Sequence, residues 1–442
     1  MKKLSVYICT WNVGNSEPIS DADFHKLLEL KDDNPYDLYA IGLQEIPTGA
    51  TETAKSFVSY DEWAKALFEF LSQHGYYMIE SVRLQGMSLS VFARLSHLPF
   101  VRFVKTSYER TGFGGWGNKG GVAVSTWIYG EKICFVNTHL AAHLSNDDDR
   151  VENFHQVIEG IDFDDTATIM SHDACFWLGD TNFRIDDITR DDIIHSVDAK
   201  KCQKLFECDQ LKKHQKKDKL LGEFQEEEIT FSPTYKYDVG TSTFDTSEKQ
   251  RKPAWTDRIL LRINPDYLHM ISMDLKKEKS QDSSSYIAQV KGSYKSHPQF
   301  TTSDHKPVTA VYNLNVGKEQ SQLVSVETVG KWEIDEPGFL AVSYSFGMHK
   351  DSSDYLALYE WNLTDFRSHI TWIYVPESED PDKITETKIC QYEFVSTSDV
   401  DPDKLYCVGY YSNKMNCLLA LSKPFKFLPS SKNAETPKIE KN

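Results

Sequence analysis

The sequence lacks the features that mark secreted, membrane-spanning and zinc-binding chains. Its eight cysteines, spread over 442 residues, include no Cys-x-x-Cys pair, so their spacing predicts neither a disulfide framework nor a cysteine-based zinc site. No apolar run approaches the ~20 residues that a membrane-spanning helix requires. The amino-terminal segment has no apolar stretch of the length that a secretory signal needs. We therefore expect a soluble protein of a reducing compartment, the cytoplasm.

An excess of positive charge is also lacking. Lys and Arg number 49 and Asp and Glu number 66, which gives a formal net charge of −17. This total argues against a general nucleic-acid coat protein, and we expect no nucleic acid among the partners. A local basic pocket can still exist within an acidic chain, because the potential at a site depends mainly on nearby charges.

Two regions of different character follow one another along the chain. Up to residue 315, short apolar runs mix with amphipathic segments, which predicts a large α/β domain. Its predicted strands are Leu4–Thr10, Asp37–Leu43, Lys132–Asn137, Ala174–Leu178, Arg258–Arg262 and Pro307–Leu314, and its predicted helices include Asp21–Leu30, Glu62–Gln73, Asp147–Ile161 and Ala199–Glu207. Residues 316–329 are polar and predict a linker. Recurrent short strands over 330–428 predict a small β-sandwich, and 429–442 a disordered tail.

Polar residues stand at the ends of the predicted strands of the first region. Four groups follow strands and two precede them: Asn12, Glu45, His139 and Asp180 with Asn182 follow, whereas Asp257 and Asp304 with His305 precede. If the later strands run antiparallel to their neighbours, all six groups meet at one rim. Each group alone is typical of a turn or a cap, but six together indicate a site. Oxygen donors without cysteine favour a hard cation such as Mg²⁺ over zinc, with Glu45 and Asn12 as ligands.

Seven segments of this region, in order, resemble the motifs of the inositol polyphosphate 5-phosphatases, a branch of the endonuclease/exonuclease/phosphatase superfamily. They are TWNV at 10–13, GLQE at 42–45, GNKGGV at 117–122, NTHLAAH at 137–143, FWLGDTNFR at 176–184, PAWTDRIL at 253–260 and SDHKPV at 303–308. The resemblance covers residues 1–315. Three positions depart from the usual pattern: Thr181 and Phe183 stand where Leu and Tyr are usual, and Thr256 stands where Cys is common. None of these departures removes a catalytic heteroatom.

The resemblance implies a DNase I-like four-layer α/β (α+β) sandwich and Mg²⁺-dependent removal of the 5-phosphate from an inositol ring. By motif position it assigns Glu45 and Asn12 as metal ligands, and Asp180 and Asn182 as the groups that position the attacking water. It assigns His305, oriented by Asp257, and His139 to the scissile phosphate. The residues do not decide which group takes the proton from the water. Asp180 is preferred here over His305.

Cationic and polar residues in two further segments resemble the family's 4-phosphate-binding segments. Tyr235, Lys236, Lys249 and Arg251 would bind the 4-phosphate of a phosphoinositide headgroup through charge-assisted hydrogen bonds. The phosphate that links the ring to glycerol would contact Asn118, Lys119 and His143. Without the resemblance, the segments of the 4-phosphate pocket would be interpreted as a solvated charged loop.

Two aromatic residues on a glycine-rich loop indicate contact with a membrane surface. Phe113 and Trp116 lie beside the cationic segment at 117–122, and aromatic side chains suit the headgroup boundary. We therefore expect peripheral association of a cytoplasmic protein with membranes. The alternative is that both aromatic rings fold back onto their own domain.

The region from 330 to 428 resembles the SKICH domain, an immunoglobulin-like β-sandwich used for targeting and for protein partners. Together the two regions resemble the skeletal-muscle-and-kidney-enriched type of inositol phosphatase. Two alternatives remain: a nuclease or sphingomyelinase of the same superfamily, and an inactive scaffold. A nuclease would have little use for the Lys249 and Arg251 pocket and would favour a basic face. An inactive scaffold would commonly lose a metal ligand, and Glu45 and Asn12 are both present.

Overall fold

The computed structural model describes residues 2–31, 35–47, 61–111, 119–164, 167–269, 286–316, 322–345, 348, 350–361, 366–375, 388–394 and 400–429, with backbone only at 388–391. In this part of the chain the helices are α1 (Asp21–Leu27), α2 (Glu62–Ser72), α3 (Asp147–Gly160), α4 (Arg190–Asp198), α5 (Gln203–Glu207), α6 (Gln210–Gln215) and α7 (Lys219–Gly222), with 3₁₀ helices at Leu95–Phe100 and Ile169–Ser171. None of the described helices is both long and apolar enough to span a bilayer.

The strands are β1 (Lys2–Asn12), β2 (Leu38–Gln44), β3 (Tyr76–Leu84), β4 (Met87–Arg94), β5 (Val101–Arg110), β6 (Gly120–Ile128), β7 (Glu131–His139), β8 (Ala174–Asp180), β9 (Asp257–Ile263), β10 (Ile287–Gln289), β11 (Lys295–Ser296), β12 (Val308–Val316), β13 (Val324–Val329), β14 (Gly338–Tyr344), β15 (Tyr355–Glu360), β16 (Thr371–Tyr374), β17 (Lys388–Phe394), β18 (Tyr406–Ser412) and β19 (Cys417–Leu421).

Two sheets form the centre of the first compact unit, which comprises 1–70, 78–93 and 105–318. One sheet has the order β10-β12-β1-β2-β4-β3, with β11 beside β12, and the other has the order β5-β6-β7-β8-β9. Strands β1 and β2 of the first sheet contact β7 and β8 of the second, so the sheets pack face to face. Helices cover both outer sides. Trp63 of α2 contacts Trp11 with ring centroids 5.6 Å apart, and Phe154 of α3 contacts Trp177 at 4.6 Å.

The central strands match the sequence predictions because their residues are buried almost without interruption. Every residue of β2 and β8 is buried, as expected for strands covered on both faces. The predicted helix Ala199–Glu207 is wrong. Helix α4 ends at Asp198, because Ala199 is its C-cap and Lys200 takes a left-handed φ of 54°, and helix α5 begins only at Gln203.

The second compact unit comprises 71–77, 94–104 and 319–442. Its strands form two antiparallel sheets, with the orders β13-β14-β17 and β16-β15-β18-β19. Residues 324–329, within the predicted linker, instead form strand β13, because Val324 and Val326 alternate inward. The unit also includes a segment that lies early in the sequence: Asn416 donates from Nδ2 to the Val104 carbonyl at 2.9 Å, and Cys417 Sγ lies 3.3 Å from the Val101 carbonyl.

Candidate active site

The strand ends that carry polar residues are neighbours in the sheets of the first unit. Asn12 pairs with Gln44 across the parallel strands β1 and β2, and His139 pairs with Asp180 across β7 and β8. Asp180 is in turn the register partner of Asp257, because β9 runs antiparallel to β8 and its first residue therefore meets the last residue of β8. The pairing places the ends of β8 and β9 at the same edge of the sheet.

Two carboxylates flank the His305 imidazole. Its Nδ1 lies 2.9 Å from Asp257 Oδ2, and its Nε2 lies 3.9 Å from Asp180 Oδ2. Burial alone would lower the pKa of His305, but the charges of Asp257 and Asp180 raise it to about 9. Burial would likewise raise the pKa of Asp180, but the charges of His305, His139 and Lys119 hold it well below its usual range. At neutral pH the imidazole is therefore protonated and Asp180 is ionised.

Asp257 is held by hydroxyl groups as well as by the imidazole. Its Oδ2 accepts from Thr234 Oγ1 at 2.6 Å and from Thr256 Oγ1 at 2.8 Å. Its Oδ1 is buried and has no hydrogen-bond partner. The buried carboxylate thus concentrates three contacts on one oxygen, and this arrangement fixes its orientation toward His305.

His139 joins the remaining charged groups of the rim. Its Nε2 lies 3.3 Å from Asp180 Oδ2 and 3.8 Å from Glu45 Oε1, and it contacts the Lys119 ammonium. Burial lowers the pKa of His139, and the Lys119 charge lowers it further. Burial also lowers the pKa of Lys119. Lys119, which was predicted to bind the glycerol-linked phosphate, thus contacts His139 in the structure.

Glu45 and Asn12 lie at adjoining strand ends. The Asn15 amide donates to the Glu45 carbonyl at 2.7 Å, which holds the two turns together. Asn12 donates from Nδ2 to Asp180 Oδ2 at 3.1 Å, and its Oδ1 accepts from the Gly14 amide at 3.1 Å. The Glu45 side chain is 39% exposed, whereas Asn12 is buried. Glu45 has a left-handed φ of 52°, a conformation that non-glycine residues adopt rarely and that is concentrated at functional sites.

Asn182 has a similar conformation after β8, with a φ of 57°. Its amide nitrogen donates to Asp180 Oδ1 at 3.1 Å, and its Nδ2 donates to the Leu140 carbonyl at 3.1 Å. Arg184, which the sequence analysis missed, donates to Oδ1 and to the carbonyl of Asn182. The Arg184 guanidinium also lies 4.4 Å above the Tyr235 ring, which contacts the His305 ring at 4.5 Å. The position of Arg184 at the end of the FWLGDTNFR motif is the sequence feature that could have identified it.

A buried amide pair behind the rim was also missed. Gln44 Nε2 donates to Asn137 Oδ1 at 2.6 Å, and Asn137 Nδ2 donates to the carbonyls of Leu43 and Ser88. A Cβ at Gly42 would lie 2.7 Å from the Asn137 side chain, so only glycine fits beneath this pair. The pair ties β2 to β7, the strands that lead to Glu45 and His139.

The segments predicted to bind the 4-phosphate lie together. The Asp245 amide donates to the Lys236 carbonyl at 2.9 Å, and Asp245 Oδ2 accepts from the Arg251 amide at 2.8 Å. The Lys236 ammonium lies 3.2 Å from Asp304 Oδ2. Burial would lower the pKa of Lys236, but Asp304 raises it, so the side chain is charged. Lys249 is exposed.

His143 is the other described residue that was predicted to contact the glycerol-linked phosphate. His143 is exposed and has a φ of 76°, and its carbonyl accepts from the buried Arg150 guanidinium at 2.6 Å. Phe113, Trp116 and Asn118 lie outside the described residues.

Among the described residues, one group could hold a metal ion through His, Asp, Glu or Cys atoms. It consists of Asp180, Asp257 and His305, whose ligand-type atoms lie within 4.8 Å of one another.

Comparison with known proteins identifies the family. Residues 9–311 match the Endonuclease/Exonuclease/phosphatase family 2, and residues 324–427 match the SKICH domain. Inositol polyphosphate 5-phosphatase K of Mus musculus is 34% identical over 436 residues, which cover 96% of this chain and 89% of that protein. The chain belongs to the inositol polyphosphate 5-phosphatases.

Two further relatives agree with this assignment. Phosphatidylinositol 4,5-bisphosphate 5-phosphatase A of Homo sapiens is 34% identical over 439 residues; these cover 98% of this chain but only 42% of that protein. The crystal structure of the inositol polyphosphate 5-phosphatase domain of SPsynaptojanin, in complex with inositol (1,4)-bisphosphate and calcium ion, has 30% identity and a TM-score of 0.59, and the match covers 71% of this chain and 85% of that one. The predicted family, the DNase I-like fold and the SKICH resemblance are confirmed.

Proposed function

We propose that this 5-phosphatase is a Mg²⁺-dependent phosphomonoesterase acting on phosphatidylinositol 4,5-bisphosphate and 3,4,5-trisphosphate, and on soluble inositol polyphosphates. The observation that carries the proposal is the chain of contacts Asp257–His305–Asp180–Asn12 at one end of the sheets. A protonated imidazole beside an ionised carboxylate suits a reaction in which water attacks a phosphate dianion, because both the anion and the water must be positioned.

Glu45 and Asn12 are the residues that would hold Mg²⁺. The Glu45 carboxylate is partly exposed, and the Asn12 Oδ1 atom, which has two lone pairs, accepts one hydrogen bond. Oxygen donors of this kind fit a hard cation. When bound, Mg²⁺ would polarise a phosphate oxygen and stabilise the charge on the leaving oxygen.

The group Asp180, Asp257 and His305 fits a cation less well. The raised pKa of His305 means that the imidazole is protonated at neutral pH and repels a cation. Asp257 Oδ2 already accepts three hydrogen bonds. These groups are better suited to binding and orienting phosphate and water.

Asp180 and Asn182 would position the attacking water. Asp180 is ionised and accepts from the Asn182 amide through Oδ1 and from the Asn12 amide through Oδ2. Both contacts fix the plane of the carboxylate. The carboxylate would accept a hydrogen bond from the water and so direct a lone pair of the water oxygen. Because His305 is already protonated, Asp180 is the acceptor that we assign to the proton released by the water.

His305 would donate from Nε2 to the scissile phosphate while Asp257 holds Nδ1. The carboxylate keeps the imidazole charged, which stabilises negative charge on the phosphate in the transition state. We assign His139, beside Lys119, to the same phosphate. Arg184 would act through Asn182 and Tyr235, which makes it a positioning residue.

Lys236, Lys249, Arg251 and Tyr235 would bind the 4-phosphate. The proposal is supported by Asp245, which joins the two loops that carry these residues through hydrogen bonds to the Lys236 carbonyl and the Arg251 amide. A nuclease would have little use for this pocket. We further propose cytoplasmic action at membrane surfaces, with Phe113 and Trp116 as membrane contacts, Asn118 and His143 near the glycerol-linked phosphate, and the SKICH region, 330–428, as the site of protein partners.

Phosphate release across a panel of substrates tests the proposal. We expect release from 4,5-bisphosphate and 3,4,5-trisphosphate headgroups and from their short-chain lipids, complete loss with excess chelator, and recovery on addition of Mg²⁺. A 4-monophosphate serves as the negative control. Release of phosphate from the 4-monophosphate, or full activity in chelator, would contradict the proposal.

A further inference from the structure

Two of the positions that depart from the family pattern contact each other beside the catalytic carboxylates. Thr181 follows Asp180, Thr256 precedes Asp257, and both threonines are buried. The Thr181 amide donates to the Thr256 carbonyl at 2.7 Å, and Thr181 Oγ1 donates to the same carbonyl at 2.9 Å. The second bond requires a hydroxyl, which the usual leucine cannot supply.

The Thr256 side chain continues this connection into the site. Its Oγ1 donates to Asp257 Oδ2 at 2.8 Å and lies 3.4 Å from His305 Nδ1. A cysteine at this position would offer only a weak S–H donor. This chain therefore has a hydroxyl in both places where the family pattern has an alkyl group and a thiol.

We propose that Thr181 and Thr256 together are positioning residues for the phosphatase reaction, a role that rests on the proposed function. Thr181 fixes the Thr256 backbone through two donors on one carbonyl, and the backbone position sets the direction of the Thr256 hydroxyl. The hydroxyl then holds Asp257 Oδ2 in the orientation in which it accepts a hydrogen bond from His305 Nδ1. The pair thus controls the orientation of the phosphate-binding His305 relative to the water-positioning Asp180. His305 Nε2 lies 3.9 Å from Asp180 Oδ2.

The arrangement of hydrogen bonds on Asp257 explains why one hydroxyl has a large effect. All three contacts are made by Oδ2, and Oδ1 has no partner. Loss of the Thr256 bond leaves Thr234 and His305 as the side chains that orient the carboxylate. Rotation of the carboxylate would bring the unpartnered Oδ1 toward the imidazole and change the direction of Nε2.

The test uses the full-length chain and a short-chain 4,5-bisphosphate substrate. We expect Thr256→Val to lower kcat about tenfold with KM within twofold, because the lost bond changes the direction of His305 Nε2, which stabilises the negative charge on the phosphate in the transition state. Thr256→Ser should restore kcat to within twofold of the unmodified chain. Thr181→Val should lower kcat about threefold, and much less in a Thr256→Val background, where no hydroxyl remains to be directed.

A matched control separates positioning from general stability. Thr309 is also buried and its Oγ1 lies 2.8 Å from the ring nitrogen of His297, outside the proposed machinery. Thr309→Val should lower the melting temperature and leave kcat within twofold. If Thr256→Val behaves like Thr309→Val, or if Thr256→Ser does not restore kcat, the positioning role is refuted.

Two outcomes keep this inference distinct from the proposed function. If the unmodified chain releases no 5-phosphate, the proposed function fails. If it does release 5-phosphate but all Thr181 and Thr256 variants match it, only the positioning role fails. Should Thr256→Val not fold, Thr256→Cys replaces it. Its kcat should be lower than that of the unmodified chain and higher than that of Thr181→Val/Thr256→Cys.

Discussion

The side-chain amide of Asn12 donates to Asp180 Oδ2 across 3.1 Å, and so joins the end of β1 in one sheet to the end of β8 in the other. The residue assigned to the metal and the residue assigned to the water are therefore in direct contact. A substitution at either residue would therefore remove a hydrogen bond that orients the other.

Replacement of Glu45 tests the metal assignment. Because an amide binds Mg²⁺ far more weakly than a carboxylate, we expect Glu45→Gln to lower turnover about 100-fold at limiting Mg²⁺ and to raise the Mg²⁺ concentration needed for half-maximal rate. Titration of the rate with Mg²⁺ measures both effects. Glu62→Gln, at an exposed position in the first turn of α2, is the control. An unchanged Mg²⁺ titration in Glu45→Gln would refute the assignment.

The pKa of His305 predicts the basic limb of the pH–rate profile. Since the imidazole is protonated below its pKa of about 9, kcat/KM should be constant near neutrality and should fall as the pH rises through about 9. Asp257→Asn removes a negative charge that raises this pKa, so the limb should move to lower pH. Asp218→Asn, which changes the separate His155–Asp218 pair, should leave the limb in place. A limb that does not respond to Asp257→Asn would mean that another group is titrating.

The 4-phosphate pocket predicts a change in specificity. We expect Lys249→Ala/Arg251→Ala to reduce kcat/KM for a 4,5-bisphosphate far more than for a 5-monophosphate, because each lost charge-assisted contact is worth ~1.5–3 kcal/mol and only the first substrate makes it. The ratio of the two kcat/KM values is the measurement. Lys204→Ala, at an exposed lysine of α5, is the control. An equal loss on both substrates would place these residues at the scissile phosphate or in the fold.

A fragment ending at Val316 tests the proposed division at residue 315. No residue proposed for catalysis lies beyond it, so turnover on a soluble substrate at low temperature should be close to that of the full-length chain. The fragment should melt at a lower temperature, because Leu98, Val101 and Val104 are buried in the compact unit that also contains 319–442. Rates at about 10 °C and a thermal melt separate the two effects. Loss of turnover in a fragment that is still folded would show that the later region takes part in the reaction.

The sequence predicts the central strands and the groups at their ends because both signals are local. Continuous apolar runs indicate β2 and β8, and the polar residues directly after them mark the rim. Strand β5 was missed, since Val101 and Val104 are its only buried residues and it includes four charged side chains. Contacts that depend on distant pairing were also beyond the sequence. Nothing near Thr181 indicates that its hydroxyl meets the carbonyl of Thr256, 75 positions later.

The register of β8 and β9 has a consequence for how the enzyme regains its activity after denaturation. Asp180 and Asp257 are opposed in this ladder, and a slip of one residue would turn one of them to the opposite face of the sheet. A partly refolded chain with the wrong pairing would therefore retain both carboxylates and still be inactive. The return of phosphatase activity then reports the completion of one particular strand pairing, rather than the formation of secondary structure.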